Sequence, residues 1–427
     1  MAPILFSTLV IFILTGMPLA YAIGGCSLFA VVFGSNLPAV FVTQRFFTGV
    51  DSFTLMAIPF FMISGSLMAK GGVSDRLIKL CSVFLRNLPG GLAMVSIVAC
   101  TFFGAISGSA PATAAAIGGI MIPVMLRNEY QDDFAMSTIA SAGYLGVIIP
   151  PSITMVTYGV AAGCSIGDMF MAGILPGICL CVGMCIYAFI IGKKHNYVMK
   201  NTEEMDSAQV IRTILDAVPA LLMPLIILGG IYSGIFTPTE AGCVAVVYGF
   251  IVGFFVYKEL RISDLPEIFR SSALSASMIL LIIGCANAFG NIMAREMVPN
   301  AVANFMIGIS TNKFVFLILV NVLLLIVGCF METNTAIMII APILLPVAKE
   351  LGIHTIHFGI IMVINLAIGL LTPPLGMNLY VATSICGKNV SDILGKNLVG
   401  YIIVSIAVLM LITYIPNICL LLPNLLH

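Results

Sequence analysis

The chain contains no tryptophan, and only 8% of its 427 residues are charged. Soluble domains carry about 25% charged residues, so this composition cannot clothe a water-facing surface. The few charges balance, 18 basic against 18 acidic, and nothing in that balance points to nucleic acid. Without Trp, any aromatic belt at a membrane boundary must rest on the 12 Tyr. No G-x-x-x-x-G-K-[ST] occurs, so nothing supports ATP hydrolysis by this chain. The opening MAPILFSTLVIFILTGMPLA lacks a basic n-region and reads as a retained membrane segment, not a cleaved leader. The 12 Cys include no pair at zinc-site spacing and read as small buried hydrophobes.

What is present is apolar: 60% of the residues are hydrophobic. Many stretches exceed the ~20 residues that cross a bilayer as helix. None shows the alternation of a membrane barrel, so the chain is expected to be an all-α, polytopic integral membrane protein.

A hydrophilic stretch, residues 193–212, separates an N-terminal half (1–192) from a C-terminal half (213–427). The two Pro-Pro pairs of the sequence, Pro150-Pro151 and Pro373-Pro374, lie 223 residues apart. At that offset Pro123-Val124 matches Pro346-Val347, Gly146 matches Gly369, and Ser109 falls opposite Glu332. Each half thus carries one polar interruption, at 107–113 and 330–336, and one proline break. Interrupted hydrophobic segments at matching positions are a mark of secondary transporters.

Basic residues concentrate in Lys70–Arg86, Lys193–Arg212 and Lys258–Arg270, which the positive-inside rule places in the cytoplasm. Three apolar blocks separate the first two stretches, and three simple crossings would put them on opposite sides. The conflict disappears if 91–127 is a re-entrant hairpin and 134–163 a broken helix. By the same counting, 314–348 is a hairpin entering from the outside and 358–387 a second broken helix. Hairpins from opposite faces make two inverted repeats.

Broken backbone at membrane depth survives only when buried in protein or lining a wet cavity. Pro111 suits the first turn of a helix capped by Ser109 or Ala110. That helix aims its N-terminus, with roughly half a positive charge, at the membrane centre, where it attracts an anion. The preceding limb offers carbonyls plus the Ser107 and Ser109 hydroxyls, hard oxygens suited to a sodium ion. Around the Pro-Pro breaks, carbonyls near Gly143–Ile149 and Gly369–Thr372 need partners: a cation, a hydroxyl or water. Glu332, ionisable at a hairpin tip, is either a functional group or a side chain at a wet rim. Thr237, Pro238 and Glu240 read as a capping box. His354 and His357 read as part of a solvated outer loop. Arg295 is the Arg nearest to a mid-membrane block, and it lies at a segment end.

The stretches GAISGSAPATAAAIG, GVIIPPSITMVTYG, MFMAGILPG, GIFTPTEAG and INLAIGLLTPPLGMNLYV resemble the large membrane subunit of tripartite ATP-independent periplasmic (TRAP) transporters, over essentially the full length. The resemblance implies an elevator-type member of the ion-transporter superfamily fold, in the bacterial inner membrane. It implies two partners, a small four-helix membrane subunit on a separate chain and a periplasmic substrate-binding protein. It implies sodium as coupling ion, no other cofactor, and a small organic acid as substrate: a dicarboxylate, sialic acid or another sugar acid. Carried over, the sodium sites match Ser107, Gly108, Ser109, Gly143 and Gly146, with Gly328, Met331, Glu332, Thr333, Gly369, Thr372 and Met377. Substrate contacts are expected from the same tips and breaks: Ser109, Pro111, Thr113, Pro151, Ser152, Thr333, Asn334, Pro374 and Asn378.

Two other classes stay open. A passive channel or an assembly scaffold would lack ion coupling, and flux without any ion gradient would reveal the channel. An intramembrane enzyme would need a base near Ser107 or Ser109, and no membrane His or Lys stands beside them in sequence, so no catalysis is expected.

Overall fold

The computed structural model describes residues 1–197, 206–298, 301 and 312–426; residues 198–205 of the hydrophilic linker lie outside them. Among the described residues all regular structure is helical, and nine helices are long and apolar enough to cross a membrane.

Two short helices come first, α1 (Ala2–Leu14) and α2 (Leu19–Gly34). A Cβ at Gly34 would meet the Met1 Cα at 3.3 Å, so the pair is antiparallel. At ~1.5 Å per residue, neither helix reaches across a ~30 Å hydrocarbon core. α3 (Val40–Val50), a 3-10 turn and α4 (Ala57–Lys70) follow. α5 (Val73–Leu85) lies between Gly72 (φ 81°) and Gly90 (φ 70°), left-handed positions that glycine takes without steric cost. It buries Val73, Leu77 and Cys81 and exposes Asp75 and Lys79.

α6 (Gly91–Ser107) and α7 (Ala110–Arg127) form the first hairpin. α8 (Asp132–Gly143), a 3-10 turn at Tyr144–Val147, the cis Pro150-Pro151 pair and α9 (Ile153–Ala162) make the first broken helix. α10 (Ile166–Lys194) is a continuous span.

Across the linker, α11 (Ser207–Tyr232) and α12 (Pro238–Ile251) pair, and a π-helical turn at Val252–Val256 prolongs α12. The capping box at the start of α12 is formed: Thr237 N–H donates to Glu240 Oε2 at 2.8 Å, and Glu240 N–H donates to Thr237 Oγ1 at 3.3 Å. After α13 (Leu265–Arg295) comes the second hairpin, α14 (Lys313–Phe330) and α15 (Thr333–Glu350). α16 (Thr355–Gly369), the cis Pro373-Pro374 pair and α17 (Met377–Cys386) make the second broken helix. Short α18 (Val390–Ile393), α19 (Lys396–Tyr414) and α20 (Asn417–Leu426) complete the chain.

The broken elements sit inside. α8 and α16 are buried over almost their whole length, and 72% of α15 is buried against 22% of the most apolar window of α11. The break-bearing α8 and α16 and the limb α15 lie in the core, while the limb α14 is as exposed as the continuous α10 and α19, 33% buried in each case; broken backbone is thus kept from lipid.

The ends of the bundle sort by charge. Arg76 pairs with Asp216 of α11 at 3.7 Å and with Glu259 of the third basic stretch. The Gly90 N–H donates to the Tyr197 carbonyl at 2.8 Å, and Tyr130 stacks on Tyr197. Lys388 pairs with Asp132 at 2.7 Å, and Asn397 Nδ2 donates to Asp133 at 2.8 Å. The three basic stretches and both ends of the first hairpin therefore share one end. α19 runs from Asn397 at that end to Tyr414, whose hydroxyl donates to the Phe314 carbonyl at 3.4 Å. The second hairpin thus opens at the other end.

One expectation is corrected. His357 is not in a solvated loop; it is 2% exposed on α16, its Nε2 3.0 Å from the Ile412 carbonyl. Neighbouring His354 caps the same helix, its Nδ1 accepting from the Ile356 N–H at 3.3 Å.

Candidate functional site

Tip one is held by its own side chains. Gly108 is left-handed (φ 61°), and its N–H closes α6 onto the Gly104 carbonyl at 3.0 Å. Ser109 is extended and occupies the cap position of α7, with Pro111 in the first turn. Its hydroxyl makes no capping bond; its carbonyl accepts from the Thr113 N–H at 3.1 Å. The Ser107 and Thr113 hydroxyls are hydrogen-bonded at 2.7 Å and buried.

The first break packs against this tip. A Cβ at Gly108 would meet the Pro151 carbonyl oxygen at 2.9 Å, and one at Gly146 would meet the Ser109 carbonyl oxygen at 2.7 Å. Glycine is required at both, because backbone meets backbone. Ser152 caps α9: its hydroxyl donates to the Val147 carbonyl at 2.6 Å and accepts from the Met155 N–H at 3.4 Å. Its oxygen is thereby engaged within its own segment.

Tip two has different chemistry and the same plan. Met331 ends α14 in extended backbone, and Glu332 caps α15. The Glu332 carboxylate accepts from the Thr335 N–H at 3.0 Å and from Asn334 Nδ2 at 2.7 Å. It therefore orders the tip, whichever of its two sequence readings applies. The second break packs closely here too: Gly328 and Gly369 touch through their backbones, and the Leu375 N–H donates to the Cys329 carbonyl at 3.0 Å. Thr372 and Met377 are partly exposed, and Pro374 is exposed, whereas Pro151 is buried.

The halves then exchange limbs. α15 packs on α9 of the first half, and α17 packs on α7 and α8. Thr157 of α9 donates to Asn334 Oδ1 at 3.1 Å. Asn378 Nδ2 donates to the Ala140 carbonyl at 3.0 Å, beside Gly143. Four helices, α7, α9, α15 and α17, begin at these tips and breaks. Each start carries roughly half a positive charge; at α9 the Ser152 hydroxyl and at α15 the Glu332 carboxylate already accept one N–H each, and the starts of α7 and α17 have no side-chain cap. Several buried oxygens here have no hydrogen-bond partner among the described residues: Thr333 Oγ1, Asn378 Oδ1, Ser137 Oγ, Ser141 Oγ and Thr154 Oγ1. The donor set is neutral oxygen, which fits a hard monovalent cation or a hydrated ligand.

The structure thus brings together the residues singled out around 107–113, 143–152, 328–334 and 369–378. Sequence reading missed Thr157 and the Ala140 carbonyl, which tie one half to the other, and Thr335, which donates to Glu332 within tip two. A hydroxyl within the first two turns after a Pro-Pro break was the available signal for Thr157. For Thr335 the signal was its place three residues after Glu332, a capping spacing; the Ala140 carbonyl carries none, since its partner is fixed by the exchange between halves.

Residues 6–418 match the family model described as "Tripartite ATP-independent periplasmic transporter, DctM component". An isethionate TRAP transporter permease protein of Oleidesulfovibrio alaskensis is 43% identical over 97% of this chain, which spans 65% of that relative's length. The C4-dicarboxylate TRAP transporter large permease protein of Rhodobacter capsulatus is 38% identical and covers 100% of this chain and 99% of its own. The sialic acid TRAP transporter large permease protein of Vibrio cholerae is 35% identical over 96% of this chain and 95% of its own. The solved YdaH transporter of Alcanivorax borkumensis shares the fold, with a TM-score of 0.61 at 13% identity over 88% of this chain and 87% of that one. With the family model spanning nearly the whole chain and these relatives aligned along it, the protein belongs to the DctM family of large TRAP transporter permeases.

Proposed function

We propose that the chain is the large transmembrane subunit of a sodium-coupled secondary transporter that imports an organic acid across the bacterial inner membrane. The acid is delivered by a periplasmic binding protein, and a small four-helix subunit braces the moving part. The observation that carries this reading is the meeting of four helix starts at the tips and breaks, with buried oxygens lacking a partner among the described residues at tip two (Thr333) and just after the breaks (Thr154 and Asn378). Helix starts attract a carboxylate or sulfonate without an Arg clamp. The oxygens offer sodium a ligand set that links tip to break, so sodium binding orders the surface that the anion needs. Isethionate, C4-dicarboxylates and sialic acid, which name the relatives, all carry an acidic group.

In this reading residues 1–192 and 213–427 are inverted repeats joined by the 193–212 linker. The basic end of the bundle is cytoplasmic, and the hairpins enter from opposite faces. Tips and breaks move together as one body, in an elevator step, because they are tied across the halves by Thr157–Asn334 and Asn378–Ala140.

The test is uptake of labelled C4-dicarboxylate, sialic acid and isethionate into proteoliposomes holding both membrane subunits, with the matching binding protein. Saturable uptake that requires inward sodium and both partners is expected. Uptake by this chain alone would remove the tripartite reading. Uptake that follows a proton gradient and ignores sodium would leave the transporter and replace its ion.

A further inference from the structure

At the basic end of the bundle, a cavity of about 430 Å³ opens between α5 and α11. Its volume falls within the ~300–1,000 Å³ typical of ligand pockets. Four cations line it, Arg76, Lys79, Arg86 and Arg212, against one carboxylate, Asp216. Arg76 serves the fold. Its guanidinium lies 4.0 Å from the Tyr257 ring centroid, donates to the Gly72 carbonyl at 2.8 Å, and pairs with Asp216 and Glu259. The acid in the wall is thus turned toward Arg76, and Lys79 and Arg212 add further positive charge to the lining.

The cavity's depth in the membrane follows from its walls. α5 is amphipathic and too short to span, and its C-terminal end carries Phe84 and, just beyond it, Leu88, which are 65% and 41% exposed. Its apolar face packs inward, and the exposed Phe84 and Leu88 at its C-terminal end are left to face the boundary layer. On α11 the exposed stripe Ile211, Leu215, Val218, Leu222 begins one residue before Arg212. The cavity mouth therefore opens where hydrocarbon gives way to headgroups.

We propose that this cavity binds the phosphate of an anionic phospholipid, gripped by Lys79 and Arg212. Arg and Lys side chains converging at headgroup depth on the cytoplasmic face match the charge and position of such a phosphate. A bound lipid joins α5 to α11, two elements outside the exchanged hairpins. It holds the outer frame without touching the transport site.

The experiment places the purified chain in nanodiscs of phosphatidylethanolamine with a minor fraction of phosphatidylglycerol, and counts retained phosphatidylglycerol by native mass spectrometry. Lys79→Gln with Arg212→Gln should lower retention about thirtyfold, since each cation near an anionic headgroup contributes on the order of 1 kcal/mol. Lys313→Gln, a charge loss at the opposite end, should leave retention unchanged. The charge-keeping pair Lys79→Arg with Arg212→Lys should retain the lipid, which separates charge from misfolding. Equal retention by wild type and the double Gln variant would overturn the proposal. Displacement of the lipid by soluble glycerol 3-phosphate at comparable concentration would also overturn it, assigning the cavity to a free phosphate ester.

Discussion

Gly328 and Gly369 meet backbone to backbone: a Cβ at Gly369 would stand 2.6 Å from the Gly328 carbonyl oxygen. One residue ends the limb before tip two, and the other ends α16 before the Pro373-Pro374 break. The same arrangement joins Gly104 and Gly146 in the first half, where a Cβ at Gly104 would meet the Gly146 Cα at 2.8 Å. Tip and break are thus packed as one piece in each half, and the space between them is set by the absence of two side chains.

Gly369→Ala should therefore do more than a surface change. Overpacking of this kind costs about 1–3 kcal/mol. Part of that should appear as weaker sodium binding, about tenfold in the apparent constant for each 1.4 kcal/mol lost at the site. Initial uptake rate against external sodium, at fixed substrate, reads it. Unchanged sodium dependence in a well-expressed Gly369→Ala transporter would place the sodium sites elsewhere.

The Ser107–Thr113 hydroxyl pair lies buried at tip one. Hydrogen bonds between membrane helices average about 0.6 kcal/mol in double-mutant cycles. Ser107→Ala and Thr113→Val should each raise the apparent sodium constant about threefold, with the double variant little worse than either. Fully additive effects would show that the two hydroxyls act separately.

Thr333 tests the partnerless oxygens directly. Its Oγ1 is buried without a hydrogen-bond partner among the described residues. An unsatisfied buried hydroxyl costs about 1–3 kcal/mol. Thr333→Val should leave thermal stability in the absence of ligand unchanged or higher, while sodium or substrate affinity falls. A stability loss with intact affinity would assign the hydroxyl a purely structural role.

Sidedness follows from the charge-sorted ends. In a background without reactive native Cys, Glu350→Cys should label with an impermeant thiol reagent from the periplasm, and Lys194→Cys should label only after the membrane is opened. Both positions are exposed. Equal labelling from outside would refute opposite entry of the two hairpins.

Glu332, Ser109 and Thr157 show how far the sequence reaches. The Pro-Pro repeat and the polar interruptions located both breaks and both tips, because helix-breaking chemistry is local and shows in single residues. The role of Glu332 was not legible. Whether a carboxylate at a tip caps a helix or faces a ligand depends on backbone direction over the next three residues, and here it accepts from Asn334 and Thr335. Ser109 occupied the predicted cap position, yet its hydroxyl caps nothing.

The sequence by itself determined the membrane class, the all-helical build, the two interrupted segments in each half and the end of the bundle that carries the charge. Each follows from composition or from a local backbone rule, with no partner needed. Only the tertiary structure decided that the halves exchange limbs, with α15 on α9 and α17 on α7. It alone joined Thr157 to Asn334 and Asn378 to Ala140, and it alone closed Arg76, Lys79, Arg86 and Arg212 around one cavity. The two cross-half hydrogen bonds link residues far apart in the chain, and they exist because the interrupted helices must bury their unpaired backbone against one another, away from lipid.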